Sequence, residues 1–505
     1  MMKKILCLAL VLSLTVLMTG CAGKSGEELT PVETLAPATV PYEAPDGDRV
    51  TRSQADYQVF FPEKNGQKLT VGSIHLDAAD LKETATALVR NVLAEINENG
   101  ALRTDRELET VREIPVEISG GICTVNLSSS ALQLSYSDYY RLSLALSSTL
   151  CSLEEIRYVN VLTSGQSVAL DSAGRLPMGS LVSHADENLS VLWEQMEARR
   201  TPQGGDPART ALNTQATVYY PLTEGRGIAC ESLRITFEGQ TASKLSSALL
   251  DAMSATVRNR IESANVPDLW EYMVHEPVTS EMEEGGRLIT LSFREDLQEL
   301  ADAWKTDIAC LAAAVTMTLT TFVPGTAAVC FRIGDKPVTD LDNSRFRIGT
   351  ILGGLMRRNV FETFLTGSTE VYFAKDGKLI RTEKPVARDA GDSPRAQLAA
   401  LMEGPDSVDR EKGIFSPLPE GIREDDILGI SAEGDTLVVN FTGRFRDGIR
   451  EQGAETEMLL CYAIVNTLCG NSGMKKVCFF FEGEQAEEIA GEIYWAGEFM
   501  FNPDV

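Results

Sequence analysis

Three histidines, a serine triplet, one acidic run and eight scattered thiols are the places where this chain could do chemistry. His75, His184 and His275 are the only imidazoles. A zinc-protease helix sets two histidines one turn apart with a glutamate beside the first, and no pair here has that spacing. Ser128-Ser129-Ser130 is not set in the Gly-flanked elbow that exposes a nucleophilic serine. No Gly-rich phosphate loop ending in Lys-Ser or Lys-Thr is present. Glu424-Asp425-Asp426 is the tight acidic run, but a calcium-type site takes about six to eight oxygens, so it reads as a solvated loop before a strand. Cys123, Cys151, Cys230, Cys310, Cys330, Cys461, Cys469 and Cys478 form neither a CxxC pair nor a Cys/His metal spacing. Most lie in apolar runs such as Val477-Cys478-Phe479, where cysteine packs as a small hydrophobe. Buried thiols are favoured over disulfides. The residues therefore point away from an enzyme, and no metal and no cofactor are expected.

The remaining two cysteines, Cys7 and Cys21, lie in the N-terminal segment. Lys3 and Lys4 precede an apolar run from Ile5 to Met18 that is shorter than the ~20 residues of a membrane span. The run ends at Leu17-Met18-Thr19-Gly20-Cys21. This arrangement resembles a bacterial lipoprotein signal, with 1–20 as signal peptide and Cys21 as the diacylated new N-terminus. Two acyl chains would give stable anchoring, so the expected location is the extracytoplasmic face of the cell membrane. Residues 21–54 then read as the lipidated Cys and a flexible tether. Their recurring prolines, as in Thr30-Pro31 and Val40-Pro41, alternate with Glu, Gly and Asp and leave too little apolar surface to offset the entropy of ordering. The formal net charge of −27 argues against nucleic acid as a partner.

The elements that must position everything else recur three times. Tyr57-Gln58-Val59-Phe60-Phe61-Pro62, Thr217-Val218-Tyr219-Tyr220-Pro221 and Glu370-Val371-Tyr372-Phe373 open successive copies. Later anchors drift little: Val125-Asn126-Leu127-Ser128 matches Val439-Asn440-Phe441-Thr442, and Thr149-Leu150-Cys151 matches Thr467-Leu468-Cys469. In the third copy Ser393-Pro394 and Gly404-Pro405 punctuate a helix with the stripe Leu398, Leu401 and Met402. Two strands follow around Glu433-Gly434-Asp435. A second helix buries Met458, Cys461, Tyr462, Val465 and Leu468, and Lys475–Phe481 is the last core strand. Each copy is thus expected to be β-α-β-β-α-β, an α+β unit with a small mixed sheet and two helices. The modules are 55–182, 214–352 (the divergent one) and 369–505. The linkers are 183–213 and 353–368, with helical turns expected at Leu189–Arg199 and Leu355–Leu365 and a flexible joint at Pro202–Pro207.

Leu401-Met402-Glu403-Gly404-Pro405, then Phe415-Ser416-Pro417-Leu418-Pro419-Glu420-Gly421-Ile422, then the Val439-Asn440-Phe441 strand, resemble the GerMN-domain family. The resemblance is fullest over 369–490, and the first two copies lack both segments. It implies a ring-building-like fold and a non-catalytic envelope lipoprotein of sporulation or spore germination. The implied partners are envelope or sporulation-complex proteins. A sensor-kinase accessory role, or a wall enzyme with an unrecognised site, stays open as an alternative. Gly404, Pro405, Pro417, Leu418, Pro419, Glu420 and Gly421 are the signature residues, read as shaping loops more than touching ligands.

Overall fold

Alternating Tyr57, Val59 and Phe61 make Ser53–Pro62 a strand, β1. In the computed structural model it is one arm of a hairpin with Leu69–Ala78 (β2), in register from Ser53↔Ala78 to Pro62↔Leu69. The structure describes residues 42–505 apart from 50–52, 65, 79, 103, 113–114, 201–210, 239–240, 261–265, 267, 362 and 388–392. The signal segment, Cys21, most of the tether and the joint at Pro202–Pro207 therefore lie outside the described residues. Among those described, no helix is long and apolar enough to cross a membrane.

Leu81–Asn99 (α1) follows, capped by the Asp80 carboxylate on the Glu83 N–H and ended by Gly100 in the left-handed region. Val116–Ser119 (β3) and Ile122–Leu127 (β4) pair antiparallel around Gly120-Gly121, whose φ values of 58° and 73° suit glycine. Tyr136–Leu150 (α2) crosses over, so that Tyr158–Thr163 (β5) lies parallel to β4, and Gln166–Ser167 (β6) closes the order β3-β4-β5-β6. After Leu189–Arg200 (α3) the plan repeats. Ala211–Pro221 (β7) and Ile228–Glu238 (β8) form the hairpin and Ala242–Arg260 is α4. Val278–Glu281 (β9) and Arg287–Phe293 (β10) precede Leu297–Ala303 (α5) and Ile308–Phe322 (α6). Thr326–Ile333 (β11) and Lys336–Pro337 (β12) complete the sheet β12-β11-β10-β9. The third unit has the hairpin Thr366–Lys375 (β13) and Lys378–Ala387 (β14), then Pro394–Met402 (α7) and Ser407–Glu411 (α8). Ile427–Glu433 (β15), Thr436–Phe441 (β16), Gly443–Gln452 (α9), Ala454–Ser472 (α10), Lys476–Phe481 (β17) and Glu498–Met500 (β18) finish it, in sheet order β15-β16-β17-β18.

The α+β class with small mixed sheets and paired helices holds throughout, and each unit carries more strand than its sequence suggests. The opening strand is doubled into a hairpin standing apart from the sheet, and a short strand follows the last core strand. The second arms are hard to read because they are half polar. In β2, Ser73, His75 and Asp77 are exposed while Ile74 and Leu76 lie between them, half-buried.

The three recurring anchors have a common physical cause. A threonine hydroxyl on the crossover helix accepts the backbone N–H of the opening strand in every unit. Thr149 accepts from Phe60 at 2.9 Å, Thr318 from Tyr219 at 2.9 Å and Thr467 from Tyr372 at 3.1 Å. Asn126 and Asn440 each accept the backbone N–H of the glycine after the last core strand, Gly165 at 2.8 Å and Gly483 at 3.1 Å. Buried N–H groups need such acceptors, so the positions recur although the loops do not.

Residues Val40–Val505 form one compact unit. One continuous apolar core runs from Val59 to Leu365, uniting the first two modules, and a second from Val371 to Phe499 fills the third. Three expectations are corrected. Residues 42–49, placed in the flexible tether, lie ordered against the third sheet, because Pro45 and the backbone of Gly47 and Arg49 find partners there. Leu355–Leu365 is not an α-helix. Gly353 and Gly354 take φ values of 63° and 77°, Met356 pairs with Val329, and only the 3-10 turn Arg358–Phe361 is helical. Met458 is 38% exposed, and Glu457 takes the inward position. Strands β7 and β13 each begin three residues inside the expected linkers.

Candidate functional site

The residues singled out as possible chemistry are not brought together. His75 is exposed beside Asp56 at 2.9 Å, His184 meets Glu187 at 2.7 Å, and His275 bonds the Glu276 carbonyl at 2.8 Å. Ser128 and Ser130 bond each other at 2.8 Å at the head of a 3-10 turn. Of the acidic run, Glu424 and Asp425 face solvent and Asp426 is buried, gripped by Arg444, Thr442 and the Arg423 N–H. Burial alone would raise the Asp426 carboxyl, but these bonds hold it below its usual range. All eight described cysteines are free, and burial pushes the Cys469 and Cys151 thiols up to about 11 and those of Cys230 and Cys478 to about 12. A thiol held protonated is a poor nucleophile. Among the described residues no group of His, Cys, Asp or Glu could hold a metal ion.

The signature residues build the third module's loops. Gly404 has φ 74° and ends α7, and its carbonyl accepts the buried Lys384 ammonium at 2.6 Å. Pro405, Pro417, Leu418 and Pro419 are buried and Glu420 is exposed. Pro419 packs so closely on Gly448 that a Cβ there would stand 2.8 Å from it. Gly421 takes φ 77° in a turn. The two segments meet where Ser416 approaches Gly404, and Phe415 pairs with Ala374 of β13.

Two buried ion pairs lie at the seams between modules. Next to the signature, Arg226 of the second module meets Asp406 of the third at 3.0 Å, with side chains only 4% and 8% exposed. Burial lowers Lys384 beside them. Burial would raise Asp406, but the Asp409 N–H and the Arg226 guanidinium hold it below the usual carboxylate range. Arg358, in the connector, reaches Glu117 of the first module, Thr321 of α6 at 2.7 Å and the Tyr219 hydroxyl at 3.3 Å. Burial works against that guanidinium's charge, yet the Glu117 carboxylate and the Tyr219 hydroxyl together more than offset it. Between the first two modules, Asn160 donates to Thr124 and Thr217, and Ser180 donates to Asn160 at 2.8 Å. Ser119 donates to the Thr366 carbonyl at 2.7 Å, tying β3 to β13.

A further buried carboxylate, away from the seams, also escaped the sequence reading. Glu457, on the inward face of α10, accepts the N–H groups of Ala490, Glu492 and Ile493 and the Trp495 indole at 2.7–3.1 Å. It moulds the C-terminal loop, and its only signal was a charge at a helical core position. The second module also carries an open groove of about 970 Å³, edged by Glu224, Asp302, Asp307, Asp340 and Asp342 with Lys305 as its cation.

Residues 42–49 cover the third sheet. The Gly47 N–H bonds the Leu428 carbonyl at 3.1 Å and the Arg49 N–H that of Ile430 at 2.9 Å, adding a parallel neighbour to the edge strand β15. Asp48 holds Arg395 through bonds of 2.6 and 2.8 Å. Asn440 donates to the Pro45 carbonyl, and the Tyr42 hydroxyl bonds Glu498 at 2.9 Å. Tyr42 and Ala44 close over Val438, Cys478 and Phe480.

Fold and seams together define a class, tandem α+β modules whose buried charges fasten module to module. The family follows from the third module, whose residues 370–487 match the sequence model of the Germane family, described as sporulation and spore germination. That match covers the third module. Among solved structures it is similar to the tandem GerMN domains of the sporulation protein GerM from Bacillus subtilis. Identity there is 15% over 54% of this chain and 92% of that one, with a TM-score of 0.20. A Clostridium perfringens protein described as a lipoprotein is 18% identical over 27% of this chain and 87% of its own, with a TM-score of 0.19. Nothing below rests on either superposition. No curated protein sequence matches the chain.

Proposed function

We propose that this chain is a non-catalytic envelope lipoprotein, anchored through Cys21 on the extracytoplasmic face of the membrane, that serves protein–protein assembly in sporulation or spore germination. The Germane match over residues 370–487 carries the reading. The placement of buried ion pairs at seams supports it, since Arg226–Asp406 and Arg358–Glu117 are spent on holding modules in a set relation. A rigid, oriented array suits a scaffold that presents surfaces to partners.

Deletion of the gene tests the process: impaired spore formation or germination is expected, and normal sporulation and germination would overturn the assignment. Crosslinking in sporulating cells tests assembly, and recovery of envelope proteins bound to the third module is the expected result. Cys21→Ala tests the anchor, since it should move the chain from the membrane fraction to the soluble one.

A further inference from the structure

The seating of residues 42–49 on the third module is built like a binding site for an extended strand. In the first module the equivalent sheet face is covered by the next module, where β5 Asn160 bonds Thr217 of β7. Asn160 pairs with Thr124 across β4 and β5 as Cys478 pairs with Val438 across β16 and β17. In the third module the segment 42–49 takes the cover's place.

Its fit is specific. Gly429 lies in β15 with ordinary backbone angles, and a Cβ there would stand 2.5 Å from the Gly47 nitrogen and 2.7 Å from the Pro45 carbonyl oxygen. The three atoms nearest this position all belong to the segment, so the glycine keeps space for an incoming strand. Arg395 demands a carboxylate one residue after the glycine, and Glu498 and Thr436 demand a hydroxyl five residues before it. The hold is light: of residues 42–49 only Pro45 is fully buried, while Glu43, Asp46, Asp48 and Arg49 are exposed. Elements with so little buried surface open at low cost.

We propose that this edge and face of the third module form a strand-exchange site, and that the partner it fits is residues 42–49 of a second copy of this chain. The demands on a strand here are a tyrosine, a proline, a glycine and an aspartate at fixed spacing, and the chain's own Tyr42, Pro45, Gly47 and Asp48 meet them. Exchange keeps the contacts of residues 42–49 and changes only which copy supplies them, which makes it a low-cost route to association. Exchange leaves Cys478 covered in the assembled state and bares it only in the open one.

The test uses the full chain carrying Glu43→p-benzoylphenylalanine, an exposed position beside Tyr42, prepared in light and heavy-isotope forms, mixed, equilibrated and irradiated. Mass spectrometry of adducts between position 43 and peptides of the third module is the readout. Mixed light–heavy adducts whose share rises with protein concentration are expected. Adducts within single copies only, at every concentration, would overturn exchange. Gly429→Ala should abolish the adducts and raise Cys478 alkylation several-fold while the circular dichroism spectrum stays unchanged. Persistence of the adducts, or full protection of Cys478 in a folded Gly429→Ala chain, would show that the segment is not seated here. Asp48→Ala provides a second, milder variant, expected to increase both Cys478 alkylation and the rate at which mixed adducts form.

Discussion

Replacing Arg358 by methionine should destabilise the joined first and second modules more than any exposed substitution can. The guanidinium bonds Glu117, Thr321 and Tyr219, and the side chains of Arg358 and Glu117 are each 7% exposed. Methionine fills much of the volume and leaves the Glu117 carboxylate buried without that cation. Breaking a buried pair from one side costs about 3–5 kcal/mol. The double variant Arg358→Met with Glu117→Leu removes both charges, and well-packed apolar replacements of a buried pair are often neutral or better. The double variant should therefore be more stable than Arg358→Met alone, giving a coupling energy larger than additive sites show. Urea unfolding followed by tryptophan fluorescence separates the cores, since Trp193, Trp270 and Trp304 pack with the first core and Trp495 lies in the second. The shift should appear in the transition of the first core. A single-variant cost below about 1 kcal/mol, or a double variant as costly as the sum of the singles, would refute a desolvated pair at this seam.

Other outcomes follow from the same geometry. Thr318→Val leaves the Tyr219 N–H without its acceptor and should cost about 1–3 kcal/mol, with faster amide exchange at Tyr219 as the direct check; Thr149→Val and Thr467→Val should behave alike. Leu398→Ala, at a position with no exposure, should cost the third module about 2–5 kcal/mol in urea unfolding followed at Trp495. Asp406 and Asp426 titrate below the usual carboxylate range in the folded chain, so the unfolded chain binds protons first on acidification. Their stabilisation is fully present above about pH 4 and is lost as pH falls through the lower folded values; Asp406→Asn should flatten that acid limb in midpoint-versus-pH measurements.

The sequence carried the modules' core well because core positions recur for reasons each copy shares. Thr149 and Thr467 were visible as repeats, and the structure shows a single duty behind both and behind Thr318. The second hairpin arms were illegible because they have one wet face. Pro385 and the charges of Lys378, Arg381 and Glu383 in β14 look like loop chemistry until β13 is seen beside them. The seam residues could not be read at all. Arg226 and Asp406 are 180 positions apart, and Glu117 and Arg358 are 241 apart. Each looks like an ordinary surface charge until a neighbouring module removes the water. Residues 42–49 misled for the converse reason, since a Pro- and Gly-rich stretch has no core of its own and becomes ordered only on a surface made by residues 428–498.

The outer faces of the first and third modules are closed by different means. At the first module, the hairpin's outward residues Gln54, Asp56, Gln58, Ser73, His75 and Asp77 are exposed and polar, whereas the matching stretch of β7, from Ala216 to Tyr220, is buried under its neighbours. That face is closed by composition, as the outer faces of stacked arrays are. At the third module the outer face keeps Val438, Cys478 and Phe480 and borrows a cover from the far end of the chain. A polar substitution set like that of β1 and β2 would have closed this face permanently. Retaining an apolar face with a glycine slot at its edge, under a segment that buries little of itself, suits the third module to the strand exchange proposed above.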